Sequence, residues 1–140
     1  MLNKPMRALV LMSPLLVVLA GFARPEPQQH IIGIGLARRI LTAALESSGI
    51  TKRAGFDLEY YDGKDPRFYF FAAEWDTPKS SAAGGVGHYA VNRVTGDVWE
   101  VMGCDRVTSR RAEKLRARIL KWTKPGKGEY ERAKGFTPCP

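Results

Sequence analysis

Apolar residues along this chain fall into three kinds of run, and each kind predicts a different element. Residues 8–20 are apolar except for Ser13 and Pro14, with Lys4 and Arg7 before them and Gly21-Phe22-Ala23 after them. A basic start, an apolar stretch and small residues at a cut site make up a secretory leader, so residues 1–23 read as a signal peptide cleaved near Ala23. A membrane anchor is the alternative, but this run covers only part of a hydrocarbon core that takes roughly 20 apolar residues to cross. Residues 24–33, which open with polar and proline-containing sequence, form a spacer between leader and domain.

From Ile34 the period becomes helical. Ile34, Ala37, Ile40, Leu41, Ala44 and Leu45 recur at helical spacing, with Arg38, Arg39 and Glu46 between them, as on the buried stripe of an amphipathic helix. Ser47, Ser48 and Gly49 end the run, and Gly49 suits the position that closes a helix. The period then shortens to two. In residues 56–61, Phe56, Leu58 and Tyr60 alternate with Asp57, Glu59 and Tyr61, which marks a half-buried strand. The stretch Asp62-Gly63-Lys64-Asp65-Pro66 turns the chain. Residues 67–75 follow, dominated by Phe68, Tyr69, Phe70, Phe71 and Trp75. Large residues on both faces predict a central strand, with a helix over one face and a partner or tyrosine cover over the other.

Residues 77–87 are a small, flexible connection containing Pro78, Lys79, Ser80, Ser81 and Gly84-Gly85. Residues 88–93 and 97–101 flank Val94-Thr95-Gly96, with Tyr89/Val91 and Trp99/Val101 alternating along them. This pattern predicts a β-hairpin with Gly96 at a position of positive φ. Beyond Cys104, Thr108 or Ser109 caps a second helix with the apolar stripe Ala112, Leu115, Ile119 and Trp122, stopped by Pro125-Gly126. The order α-β-β-β-β-α predicts an α+β fold, an antiparallel four-stranded sheet with N-terminal and C-terminal helices packed on its apolar face. Residues 34–140 then form a single domain.

Charge sharpens this picture. The chain has a formal charge of +8, and the leader holds only two of its 22 Lys and Arg and none of its 14 Asp and Glu, so the mature domain stays basic. The excess gathers on the second helix, where Arg110, Arg111, Lys114, Arg116, Arg118 and Lys121 face Glu113 alone. Such a face draws an acidic protein or an anionic membrane surface, or serves solubility without any partner. Nucleic acid fits poorly, because the aromatic strand lacks the interleaved basic residues of a stacking platform. Cys104 and Cys139 both survive cleavage, and an even count in an oxidising compartment favours a disulfide. That bond would clamp the tail across the last helix. A catalytic thiol is the rival, without a Cys-x-x-Cys pair to support it.

Residues for chemistry do not converge. His30 lies in the spacer, and His88, beside Tyr89 on a hairpin strand, reads as a strand-face residue rather than a base. Asp57, Glu59, Asp62 and Asp65 do not follow a calcium-loop spacing, and no second histidine is placed for a metal. Asp57 and Glu59 share a strand face, as paired carboxylates would, with no independent sign of a sugar cleft. Gly33-Ile34-Gly35 lacks the preceding strand and third glycine of a dinucleotide loop. The reading is therefore a non-enzymatic binding domain with no cofactor and no metal. Its candidate contacts are the aromatic anchors Tyr60, Tyr61 and Tyr69, then Lys79, Ser80 and Ser81 of the connection, His88, and Arg111, Lys114 and Arg118 of the basic helix. Two alternatives stand beside it: an envelope accessory module that binds anionic lipid or polyanion through the basic helix, and a small peptidoglycan-acting enzyme.

The stretch Val86-Gly87-His88-Tyr89-Ala90-Val91-Asn92-Arg93-Val94-Thr95-Gly96-Asp97-Val98-Trp99-Glu100, followed by Cys104, resembles a hairpin of small exported proteobacterial proteins. Some of these are similar to immunity proteins that protect the periplasm from amidase effectors of the type VI secretion system. The resemblance takes in the leader layout, the hairpin and the helix after Cys104, about half of the chain. Its turn is shared with unrelated domains such as the PepSY module. The resemblance implies a periplasmic or secreted inhibitor whose partner is a cell-wall hydrolase, with a projecting loop entering that enzyme's cleft. The matching segment would be residues 77–87.

Overall fold

The structure is a computed structural model that describes residues 30–76 and 85–139. The leader, most of the spacer, and Lys79, Ser80 and Ser81 lie outside the described residues. The helical run forms α1 (Ile34–Leu45), which buries Ala37, Ile40, Leu41, Ala43, Ala44 and Leu45. Two 3-10 turns follow, Glu46–Ser48 and Ile50–Lys52, joined at Gly49 with a left-handed φ of 74°. The hydroxyls of Ser47 and Ser48 donate back to the carbonyls of Ala44 and Leu45, a local bond that ends helices. Ile32, inside the predicted spacer, is fully buried and its N–H donates to the Arg93 carbonyl at 2.7 Å. Packing therefore begins earlier than the polarity of the chain suggests.

Among the described residues, five strands form one antiparallel sheet in chain order: β1 (Asp57–Tyr61), β2 (Phe68–Trp75), β3 (Gly85–Asn92), β4 (Val98–Glu100) and β5 (Asp105–Val107). The prediction had four. The chain reverses after β4 in a turn where Glu100 accepts from the N–H groups of Met102 and Gly103, and Cys104 takes a φ of 58°. β5 is then only three residues long, too short to show an alternation. β3 also starts earlier than expected, since Gly85 and Gly87 pair with Trp75 and Ala73.

The two sheet faces are covered differently. Leu58, Tyr69, Phe71, Ala73, Tyr89, Val91 and Val98 point toward α1 and α2 (Arg110–Thr123) and build the main core with Ile40, Leu41, Ala112 and Ile119. Burying side chains of this size contributes roughly 1.5–3 kcal/mol each. Phe68, Phe70 and Ala90 point the other way and form a second cluster with Tyr61, Trp99, Val101 and Phe136. Phe136 follows α3 (Lys127–Lys134), a helix the sequence pattern did not predict because Ala133 is its one buried residue. The Asn92 side-chain amide donates to the Ala133 carbonyl at 2.9 Å, and the Arg67 guanidinium lies 4.2 Å from the Phe136 ring centre. The chain's own tail thus supplies the cover that β2 required.

The disulfide Cys104–Cys139 is present, with Cα atoms 5.8 Å apart. It fastens that tail to the β4–β5 turn across the second sheet face, rather than across α2 as expected. Ser109 caps α2, accepting from Ala112 N–H at 3.1 Å while its hydroxyl donates to the Ala43 carbonyl at 2.7 Å. Trp122, expected on the buried stripe, is 70% exposed. The helix turns Arg116 inward instead, where it meets Asp97 at 3.1 Å and also pairs with Glu113. Arg106 of β5 pairs with Asp97 as well, so the β3–β4 turn is tied to both β5 and α2.

That turn explains the hairpin. The Asn92 side-chain oxygen accepts from the N–H groups of Val94 and Thr95, and the Thr95 hydroxyl donates to Asp97 at 2.8 Å. Gly96 takes a φ of 71°, and a Cβ there would lie 3.1 Å from atoms of Ile32, Ile40 and Arg116. Conformation and space both require glycine. Among the described residues, no helix is long and apolar enough to cross a membrane.

Candidate functional site

The structure divides the candidate contact residues into separate regions. Arg111, Lys114 and Arg118 follow helical spacing on α2, so they line one flank with Leu115. Arg39, Thr42 and Ala43 on α1, with Glu46 just beyond it, hold the same spacing, and the two flanks face each other across a groove of about 390 Å³. The helices run in opposite directions, since Ser109 and Arg111 at the start of α2 bond Ala43 and Glu46 at the end of α1. One Arg111 nitrogen donates to both Glu46 oxygens, at 2.6 and 2.8 Å. Glu46 is the groove's one carboxylate, and it is already spoken for. Arg39, Lys114 and Arg118 make no ion pair among the described residues. Arg39 was missed from the sequence because it read as a polar spacer on α1. The helical placement of Arg39 was legible, but nothing local said which flank α2 would face.

Tyr60 and Tyr69 sit on the helix-facing side of the sheet, their ring centres 6.3 Å apart and edge-on. Tyr69 is buried, and the Arg93 guanidinium lies 4.3 Å from its ring centre. Tyr60 is more open, and its hydroxyl donates to Asp62 at 2.9 Å, which with burial and the carboxylate charge holds the phenol above its usual range. Tyr61 and His88 lie on the opposite face. The Tyr61 hydroxyl is 3.4 Å from His88 Nδ1, with the rings edge-on. Burial pushes the Tyr61 phenol up, so it stays neutral. His88 pairs with Ala72 across the sheet, and no carboxylate orients its ring among the described residues. The pair can offer hydrogen bonds and an aromatic edge. It is not arranged as a nucleophile and base. No group of three His, Cys, Asp or Glu side chains gathers as a metal site among the described residues.

No protein-family model and no curated protein matches this chain. Among solved structures it is similar to a chain in the structure of a type VI secretion system effector-immunity complex from Pseudomonas protegens. The match has 22% sequence identity and a TM-score of 0.60, and it covers 76% of this chain and 89% of that chain. At this identity the likeness is one of fold. It extends well beyond the hairpin and the second helix, through most of the α+β domain.

Proposed function

We propose that this chain is an exported immunity-type protein that binds and blocks a cell-wall-degrading effector in the periplasm. The observation that carries this reading is the fold shared with a chain of an effector-immunity complex across 89% of that chain's length. Three features support it. Residues 1–23 have the layout of a cleaved leader, ahead of a domain whose packing begins at Ile32. The Cys104–Cys139 bond suits an oxidising compartment. The described residues present basic and aromatic surfaces in separate regions, each open to contact with a protein partner.

Co-expression tests the reading. Cell-wall hydrolase effectors of the type VI system are directed one by one to the periplasm of a host that carries this chain. Rescue of growth by the full chain against one effector, lost when the leader is deleted, is the expected result. If no effector is neutralised and none co-elutes with the purified protein, the immunity reading is wrong.

A further inference from the structure

We infer that the trough between α1 and α2 is a docking site for an extended acidic segment of a partner protein. This deepens the immunity reading and rests on it for the partner's identity, though not for the trough's chemistry. Two adjoining depressions share Thr42, Ala43, Glu46 and Arg111 and so form one continuous surface. The first adds Arg39, Lys114 and Arg118, and the second adds Lys52, Phe56 and Arg110. Five cations therefore border a surface whose carboxylate, Glu46, is neutralised by a sixth, Arg111.

Charge complementarity names the sign of the occupant, and shape names its class. The cations stand around a concavity that contains Ala43 and Leu115. Carboxylates carried on a protruding segment reach into such a trough, whereas the plane of lipid headgroups meets only its rim. A membrane-docking face also needs several apolar side chains beside its cations to enter the interface. Here α2 offers Trp122 alone, one turn beyond Arg118 on the same flank. An exposed indole beside arginines is the composition of a protein contact, where tryptophan and arginine dominate binding energy. Cations spread over two adjoining depressions, with Ala43, Phe56 and Leu115 among them, fit a run of several acidic and apolar residues better than a single charge.

The test uses the purified mature protein and a dye-labelled peptide of glutamate and leucine, its glutamine counterpart, and phosphatidylglycerol vesicles. The glutamate peptide should bind and weaken steeply with added salt, and the glutamine peptide should not. Amide shifts in an NMR titration should map to α1, α2 and residues 50–56. Reversing Arg39, Lys114 and Arg118 together to glutamate should weaken peptide binding by about tenfold or more. These side chains are exposed, so circular dichroism should show the fold intact. Failure of the glutamate peptide to bind overturns the proposal, and so does binding to vesicles in its absence. The same triple variant enters the growth-rescue assay. If the unaltered chain rescues and the variant rescues equally well, the trough is not the docking site while the immunity reading stands. If the peptide binds the trough but the unaltered chain rescues against no effector, the trough stands and the immunity reading falls.

Discussion

Replacing both Cys104 and Cys139 with alanine removes a cross-link between positions 35 residues apart. In the chain-entropy account, opening a loop of that length restores freedom to the unfolded chain worth about 4 kcal/mol at 25 °C. For a domain of this size, that loss lowers the melting temperature by roughly 10–20 °C. The structure adds a second contribution. Phe136 packs against Phe68, Phe70 and Ala90 and carries Arg67 over its ring. Truncating a half-buried phenylalanine to alanine costs about 1.5–3 kcal/mol, including the lost cation–π contact.

The question is whether the two losses add. If the disulfide acts only on the unfolded chain, they do. If the tail needs the bond to stay docked, Phe136→Ala costs little once the cysteines are gone. The second outcome is expected, with a coupling of about 1–2 kcal/mol. Beyond α3 the tail is held by Phe136 and the disulfide, and inward from there by the Asn92–Ala133 bond and a longer one from Arg116 to the Tyr130 hydroxyl at 3.4 Å. Urea unfolding of the four proteins in the cycle, followed by circular dichroism, measures the coupling. Hydrogen exchange in β2 and β3 should rise at residues 68–70 and 90–92 and stay low at the helix-facing core. A total loss below about 1 kcal/mol, or strict additivity within about 0.3 kcal/mol, refutes the argument. Two titratable thiols in the unfolded, unreduced protein refute its premise.

Two further outcomes follow from single residues. Gly96→Ala should destabilise by about 2–3 kcal/mol, from the left-handed conformation and the 3.1 Å approaches to Ile32, Ile40 and Arg116; an unchanged urea midpoint would contradict that geometry. Burial pushes the Glu113 carboxyl up, but the bonds from Arg116 and Thr108 prevail and hold it below its usual 4.5. With the folded value depressed, the unfolded chain takes up the proton first, so Glu113 stabilises the fold fully above its ordinary range and ceases to as pH falls through the lower folded value. Glu113→Gln should therefore flatten the acid limb of stability against pH, and an unaltered limb would show that the carboxylate contributes nothing there.

What could be read from the chain depended on how many side chains each element buries. α1 buries a helical stripe and β2 a nearly continuous aromatic run, and both were plain in the sequence. β5 offers Val107 alone and α3 offers Ala133 alone, so neither leaves a pattern to detect. They form because the Glu100 turn and the disulfide bring them to places already built. Trp122 was misread for a related reason. The stripe Ala112-Leu115-Ile119-Trp122 is sound as periodicity, but Asp97 draws Arg116 inward and rotates the helix so that the indole faces out. The Cys104–Cys139 pairing was legible from count alone, while its path over the sheet was not, because the path depends on Phe136 finding the aromatic cluster.

The same logic bears on where a partner can reach. The tail closes much of one sheet face, leaving Tyr61 and His88 as a separate patch on that side. The trough lies on the helix side, and its far end is lined by Lys52 and Phe56. Between those two in the chain, Arg53 stands 5.7 Å from the Trp75 ring centre and the Ala54 carbonyl accepts from Asp76 N–H at 2.8 Å. The end of β2 is therefore fixed to the segment that borders the trough. A partner seated in the proposed trough would lie beside the end of β2. The aromatic and basic candidates named from the sequence as unrelated features share this geometry only in part. Arg111, Lys114 and Arg118 lie on the route, whereas Tyr69 is buried beneath Arg93 and takes no part in it.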